Sequence, residues 1–326
     1  MQGLVTVFGG TGFVGVQVVR ALARTGARIR VAVRNPGRGY RLRMLGEVGQ
    51  IQIVQANVRN PASVARALEG AEACVNLVGV LYGSAHQTFS AVHAEGAATL
   101  AAACKARKIT RFVQMSAIGA DASSTSQYAR TKAQAEVAVR ALIPSAVIIR
   151  PSVVFGAEDA FFNKFGALAA MSPVLPLIGG GETKFQPVFV ADVAAAIARA
   201  VTDPDCAGHT YELGGPGVHS FRDLMEMVCS VTYRQKILAV VPWPIAALIG
   251  MAGNIQASLK GVVGLVTAPM LTRDQVELLR SDNVVSEGAL GLEDLGIRPT
   301  AIEPILPTYM YRYRKGGQFA AEPTKV

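Results

Sequence analysis

Tyr128 and Lys132 stand four residues apart in the stretch SQYARTKAQAE, residues 126–136. At helical pitch, residues four apart share a face. A phenol with an ammonium beside it, next to a nicotinamide, makes an acid/base pair. An isolated tyrosine has a pKa of about 10, and a neighbouring positive charge favours its phenolate. The same two side chains can equally hold a nucleotide and do no chemistry. Taken alone, the pair leaves both readings open.

Such a pair needs a nucleotide fold to position it, and the first 150 residues have that rhythm. Runs rich in Val and Ile occur at 4–8 (LVTVF), 28–33 (RIRVAV), 51–56 (IQIVQA), 73–79 (ACVNLVG), 111–116 (RFVQMS) and 146–150 (AVIIR). Alanine-rich segments such as 91–107 and 127–142 read as helices between them. Near-continuous apolar strands alternating with helices predict a parallel sheet covered on both faces. That is an α/β fold with a doubly wound, Rossmann-type sheet.

The stretch VFGGTGFVG (7–15) follows the first strand directly, with a helix predicted from about Phe13. In this setting Gly9 permits the tight turn, Gly12 lets backbone approach a pyrophosphate, and Gly15 lets helix and strand pack closely. Thr11, Phe13 and Val14 complete the cradle, where N–H groups at the helix start are free for phosphates. The second strand ends in VRNPGRG. A fold specific for NAD usually carries a carboxylate there, about 20 residues past the glycines. This chain has Arg34 and no acid before Glu47. A guanidinium pairs with a ribose 2′-phosphate and stacks on adenine, and Arg38, Arg41 and Arg43 add charge. The expected cofactor is therefore NADPH.

The 326 residues suit one α/β domain with a smaller addition. Only 17% are charged and 51% are hydrophobic, against a usual charged share of about 25%. Mean hydropathy is +0.33. Part of the surface is expected to meet a membrane or another protein. The net charge of +9 suits anionic lipid or a phosphorylated ligand. Without a lysine-rich, aromatic-studded stretch, nucleic acid is not an expected partner. Cys74, Cys104, Cys206 and Cys229 form no C-x-x-C pair and have apolar neighbours, so they read as buried, reduced thiols. His86, His93, His209 and His219 lack metal-ligand spacing, and no metal site is expected. The first strand starts at residue 4, which leaves no room for a presequence in the chain as given. No apolar run of about 20 residues predicts a membrane span.

The glycine stretch, the Tyr128/Lys132 pair and RPSVVFG (150–156) resemble the short-chain dehydrogenase/reductase superfamily, of the atypical or extended kind. That resemblance implies that Ser116 orients a substrate oxygen, Tyr128 passes a proton, and Lys132 supports both Tyr128 and the nicotinamide ribose. It places Asn57, with Val58, where the superfamily usually has an acid against adenine. It places Val78, Gly79 and Val80 along the adenosine ribose, and the loop from Pro151 to Val154 near the nicotinamide. FGAEDAFFNKF (155–165), FQPVFVADVAAAI (185–197), LTRDQVELLRSDNVVS (271–286) and LEDLGIRPTAIEPILPTYMYRYR (292–314) narrow the likeness. Together they resemble the short-chain-dehydrogenase-like accessory subunit of respiratory complex I, the NADH:ubiquinone oxidoreductase. That implies a tightly held NADPH, other complex I subunits as partners, a place on the peripheral arm near the membrane and quinone region, and no established catalytic role. A chain without a presequence would be a bacterial version, on the cytoplasmic face of the inner membrane.

Residues 237–271 hold an apolar helix that starts near Pro242 and Pro244, too short to span a bilayer. It is expected to lie in a membrane interface with Trp243 at headgroup level, or else to be a core helix. Arg312, Arg314 and Lys315 are expected to touch lipid or an acidic neighbour, or to form a solvated tail. The expected organisation is a nucleotide domain over 1–150, rejoined by about 185–215. A smaller partner- or membrane-facing region spans 151–315, and a flexible tail 316–326. The rival readings are an independent NADPH-dependent reductase, or a sugar-nucleotide epimerase, using Ser116, Tyr128 and Lys132. A scaffold sensing the state of its nucleotide is a third.

Overall fold

The structure is a computed structural model that describes residues 3–83, 87–263 and 271–320. The opening elements are β1 (Leu4–Phe8), α1 (Phe13–Arg24), β2 (Arg28–Val33), β3 (Ile51–Gln55), α2 (Pro61–Ala67) and β4 (Ala73–Asn76). Then come α3 (Glu95–Ala106), β5 (Arg111–Met115), α4 (Gln127–Leu142), β6 (Val147–Pro151), β7 (Val154–Phe155), α5 (Phe161–Met171) and β8 (Val174–Ile178). They are followed by β9 (Lys184–Phe185), β10 (Val188–Phe189), α6 (Val190–Thr202), β11 (Thr210–Leu213), β12 (His219–Ser220) and α7 (Phe221–Thr232). The last are β13 (Ile237–Val241), α8 (Trp243–Val263), α9 (Arg273–Leu278) and α10 (Pro307–Met310).

Two compact units emerge. The first comprises Met1–Pro151, Val190–Leu213 and Ser286–Arg298. Its sheet has the order β11-β6-β5-β4-β1-β2-β3, parallel throughout. This is the doubly wound α/β architecture that the Val/Ile runs predict. The order reverses between β1 and β4, the switch point where such sheets bind ligands. The return of 286–298 was not expected from the sequence. Its anchor is local: Glu212 N–H donates to Leu290 C=O at 2.8 Å, and Ser286 N–H donates to the Glu212 carboxylate at 2.9 Å.

Several element ends have plain causes. Ser126 starts α4 by accepting the Ala129 N–H at 3.2 Å, and the helix covers 127–142 as predicted. The run 73–79 stops being strand at Asn76, whose side-chain oxygen takes the Val78 N–H at 3.1 Å. A π-helical turn, Ser90–Ala94, precedes α3 where the sequence suggests helix from 91. Arg150 on β6 makes a bidentate pair with Glu136 on α4, at 2.9 and 2.6 Å, and reaches Glu212 on β11 at 3.3 Å. These pairs tie α4 to the sheet.

The second unit comprises Ser152–Phe189, Gly214–Val285 and Pro299–Val326. Its core joins Phe155, Phe162, Leu175, Phe221, Leu306 and Met310. Edge-on aromatic contacts support it, among them Phe161–Phe162 at 5.0 Å and Phe165–Phe221 at 5.5 Å. The segments singled out in the sequence clamp one another here. Tyr309 Oη donates to buried Asp159 at 2.6 Å and Tyr313 Oη donates to Asn163 at 2.9 Å. Gly166 on α5 has no Cβ, so the Tyr313 ring lies against that helix. Asn283 of the DNVV stretch exchanges backbone bonds with Lys184 and Gln186, and its side chain accepts from Ser152 Oγ at 2.7 Å.

Of the alternatives for the basic end, the solvated tail is set aside for Arg312 and Arg314. Arg312 donates to the Tyr309 and Ala157 carbonyls, and Arg314 donates to Val231 C=O at 2.8 Å and stacks on Tyr233 at 4.0 Å. Trp243 is half-buried: its ring lies against Gly179, and Arg280 stacks on it at 4.7 Å. Within this segment the exposed large apolar side chains among the described residues are Ile237 and Val240 on β13, and Ile245, Leu248, Ile249 and Met251 on α8. The described buried positions of α8 are small, Ala246, Gly250 and Gly253. No described helix is long and apolar enough to cross a membrane. Residues 264–270 of the apolar segment and 321–326 of the expected tail lie outside the described residues.

The clamp is testable. Burial raises the Asp159 pKa, and the Tyr309 hydroxyl opposes that rise. Tyr309→Phe leaves the carboxylate a donor short, at a cost of about 1–3 kcal/mol. It also raises the folded-state pKa of Asp159 further. The folded variant then binds more protons than the folded wild type, so its deficit is least in acid and grows as pH rises. Denaturant melts of both proteins from pH 4 to 8 check magnitude and sign.

Candidate functional site: a nucleotide cradle in the first unit

The cradle begins where β1 meets α1. Gly9 has φ +85°, a left-handed turn, and a Cβ there would lie 2.9 Å from the Leu77 carbonyl carbon. At Gly15 a Cβ would strike the Gly9 carbonyl oxygen and stand 2.6 Å from Gly10 Cα. Only glycine permits this approach. Gly12 is the N-cap of α1 and offers no side-chain bond, so the cap leaves the N–H groups of the first turn without a side-chain acceptor. They form a neutral dipolar site for phosphate oxygens. Thr11, Phe13 and Val14 are half-buried at this turn.

Beyond β2, Arg34, Arg38, Arg41 and Arg43 are exposed, and none of the four is in an ion pair. Arg43 stacks on Tyr40 at 5.0 Å. Asn57 is half-buried after β3, with Val58 buried beside it. Its side-chain oxygen accepts the Arg59 N–H at 3.1 Å. That engagement leaves its NH2 as the group able to face a base.

After β4, Val78 and Val80 are half-buried and Gly79 is exposed. The Val80 N–H donates to His93 Nε2 at 3.0 Å. A ring nitrogen that accepts carries no proton, so His93 is neutral with its proton on Nδ1. Nδ1 stands 3.1 Å from Thr131 Oγ1, which donates to the Tyr128 carbonyl at 3.0 Å. Burial and the Lys132 charge push the His93 pKa down to about 3. The His93 and Tyr128 rings meet edge-on at 5.4 Å. His93 is a residue that sequence reasoning missed as part of the site. Its partners lie 13 and 38 positions away, and the histidine search asked only for metal spacing.

Lys132 is buried, its Nζ 5.6 Å from the Tyr128 ring centroid, and it donates to Met115 C=O at 3.2 Å. Burial pulls its pKa down to about 8, while Glu136 one turn along opposes that fall. A Cβ on Gly79 would sit 3.6 Å from both Lys132 Nζ and His93 Nε2. Ser116, beyond β5, is buried, and its Oγ has no hydrogen-bond partner among the described residues. An orphaned buried hydroxyl costs about 1–3 kcal/mol and calls for an explanation such as a group bound against it. Pro151 is buried at the end of β6, and its carbonyl accepts the Ile118 N–H at 3.1 Å. Val154 belongs to the second unit, paired with Val188. The remaining predicted residues all stand in the first unit. A cradle closed to any Cβ, an orphaned hydroxyl and a buried ammonium with donors to spare together fit a dinucleotide. No cluster of His, Cys, Asp or Glu among the described residues could hold a metal.

Neutral His93 gives a stability signature. Its folded pKa lies below its unfolded value, so between about pH 6.5 and 3 the unfolded chain binds the extra proton. Stability is therefore present above about 6.5 and falls as pH drops. Between pH 7 and 5 the loss from this one group is about 2 kcal/mol. His93→Gln removes it, so the wild-type minus variant stability should shrink by that amount over the interval. Paired urea titrations check it.

Residues 5–214 match the family described as NAD dependent epimerase/dehydratase. The chain is homologous to the Arabidopsis thaliana protein "NADH dehydrogenase (ubiquinone) 1 alpha subcomplex subunit 9, mitochondrial". It is 35% identical to it over 315 residues, covering 96% of this chain and 78% of that protein. A ceramide reductase of Caulobacter vibrioides is 34% identical over 203 residues, covering 62% of each. In fold, the chain resembles an NADPH-dependent quinone oxidoreductase of Escherichia coli solved with NADPH. That match has a TM-score of 0.71 at 22% identity and covers 92% of this chain and 97% of that one. The chain belongs to the NAD dependent epimerase/dehydratase family.

Proposed function

We propose that this protein is an NADPH-holding accessory subunit of a respiratory NADH:ubiquinone oxidoreductase, and that it holds the nucleotide without turning it over. The observation that carries the reading is the likeness to the alpha subcomplex subunit, which covers 96% of the chain rather than the nucleotide unit alone. NADPH is favoured over NADH because β2 ends in exposed Arg34 where a carboxylate would otherwise meet a 2′-hydroxyl. The Gly9–Gly15 turn would take the pyrophosphate, and Asn57 and Val58 the adenine. Val78–Val80, Tyr128, Lys132 and Pro151 would take the riboses and nicotinamide. Bound nucleotide stabilises the fold in proportion to the logarithm of its concentration over Kd. Other subunits of the complex are the expected partners. The exposed apolar residues of β13 and α8 are a candidate face for a neighbouring subunit or a membrane surface. In a bacterial host this would be the cytoplasmic face of the inner membrane. On this reading the nucleotide domain is 1–150 with about 185–215, joined by 286–298, and the docking region is the remainder of 151–315.

The second reading is a reductase, favoured by the orphaned Ser116 hydroxyl and the lowered Lys132. The nucleotide would supply hydride chemistry, while Ser116 would orient a substrate oxygen and Tyr128 would exchange a proton with it. An epimerase is less well supported, since it should hold NAD and carry an acid where Arg34 stands.

Two measurements divide these readings. A tagged chain from gently solubilised native membranes should run with the large NADH-oxidising band and release near-stoichiometric NADPH. A small soluble species with freely exchanging nucleotide overturns the accessory reading. Arg34→Ser should weaken NADPH about tenfold to a hundredfold, the worth of a hydrogen bond to a charged group. It should leave NADH unchanged. Equal losses for both nucleotides by calorimetry would remove Arg34 from the 2′-phosphate site.

A further inference from the structure

The cradle is built from two pieces that the chain does not join directly, the segment 78–80 after β4 and the helix α4. One side chain bridges them. His93 takes the Val80 N–H on Nε2 at 3.0 Å and meets Thr131 Oγ1 through Nδ1 at 3.1 Å. Thr131 in turn bonds the Tyr128 carbonyl at 3.0 Å. The imidazole is also wedged between rings, with Tyr128 at 5.4 Å and Phe89 at 5.6 Å. Both of its nitrogens are therefore committed, and the ring itself is 2% exposed. The exposed neighbour, Gly79, has no side chain to shield the gap toward Lys132 Nζ.

We propose that His93 is a positioning residue for nucleotide binding, a pin that holds the backbone of Val78–Val80 in register with the Tyr128 and Lys132 side chains. It acts as the neutral Nδ1–H tautomer. It touches neither nucleotide nor substrate in this role, and its effect passes through Val80 and Thr131. The Val80 N–H points at the ring, so Nε2 must accept. The Thr131 hydroxyl spends its proton on Tyr128 C=O, so Thr131 Oγ1 must accept and Nδ1 must donate. A proton added at Nε2 would set two donors face to face. The groups facing the ring from the packed elements are Thr131, Lys132 and Tyr128 on α4, with Phe89 before α3, and the structure records no carboxylate among the described residues acting on it to offset an added charge. A phenylalanine would keep the aromatic packing and lose both bonds. A glutamine would keep an acceptor for Val80 and a donor for Thr131.

This inference rests on the nucleotide reading above, and its test separates the two. The full chain would be stripped of nucleotide and titrated with NADPH by fluorescence. Thermal unfolding and amide exchange of residues 76–82 would be measured without nucleotide. His93→Phe should weaken NADPH about tenfold, the worth of one unsatisfied buried N–H. It should speed exchange at 78–80 well beyond any change in α1 or β5. His93→Gln should recover most of both. Thr131→Val, which removes the acceptor, should reproduce part of the His93→Phe loss, and the double variant should lose less than the sum. Wild-type protein that binds no dinucleotide defeats the nucleotide reading, while exchange at 78–80 still reports on the pin. Wild-type affinity with unchanged protection in His93→Phe overturns the pin. So does a loss that tracks global unfolding and is not recovered by glutamine.

Discussion

The backbone contact between Gly15 and the Gly9–Gly10 turn is the constraint on which the first unit depends. It presses the start of α1 against the end of β1, closer than any side chain allows. That approach aims the uncapped first turn of α1 into the space beyond the sheet's switch point. It also explains why Gly9 must take a positive φ, since the chain has to reverse within the few residues before the helix. A phosphate at this turn would be held by geometry and dipole rather than charge. The charge is supplied elsewhere, by the arginines after β2.

A second layer of the site is electrostatic. Lys132 is buried in α4, and burial alone would drive it toward neutrality. Glu136, one turn along, opposes that, but Glu136 is itself committed to a bidentate pair with Arg150. The lysine thus keeps its charge beside an acid already held by another cation. Removing one partner from such a set leaves a buried charge uncompensated, which typically costs about 3–5 kcal/mol. The arrangement suits a fixed ribose anchor as well as it suits an acid/base pair. That is why the Tyr128/Lys132 spacing does not by itself decide between them.

Much of the first unit was legible because its signals are local. Val/Ile runs mark strands, a glycine triplet after β1 marks the turn, and Ser126 marks the start of α4. Arg34 was legible for the same reason, by its offset from the glycines. His93 was not, because its meaning lies in Val80 and Thr131, which only the folded sheet brings to it. Arg312 and Arg314 looked like a basic tail because composition carries no record of the Ala157 and Val231 carbonyls they reach. The return of 286–298 to the first unit was equally hidden, resting on main-chain bonds from Glu212 and on its carboxylate.

The segments singled out in the second unit turn out to be partners of one another. Asp159 and Tyr309 are 150 positions apart in sequence and share a short buried hydrogen bond, and Asn163 and Tyr313 repeat the pattern. Buried polar pairs of this kind are tolerated only when each member is satisfied, so both halves must be kept together. The likeness in the second unit is therefore a likeness of scaffold, and it says little about a reacting group. The exposed side of that scaffold carries Ile245, Leu248 and Ile249 while its inner side carries Ala246 and Gly250. Over its described residues α8 buries small side chains and displays large ones, which forgoes hydrophobic stabilisation in the free chain. Such an arrangement suits a face that a neighbour would cover.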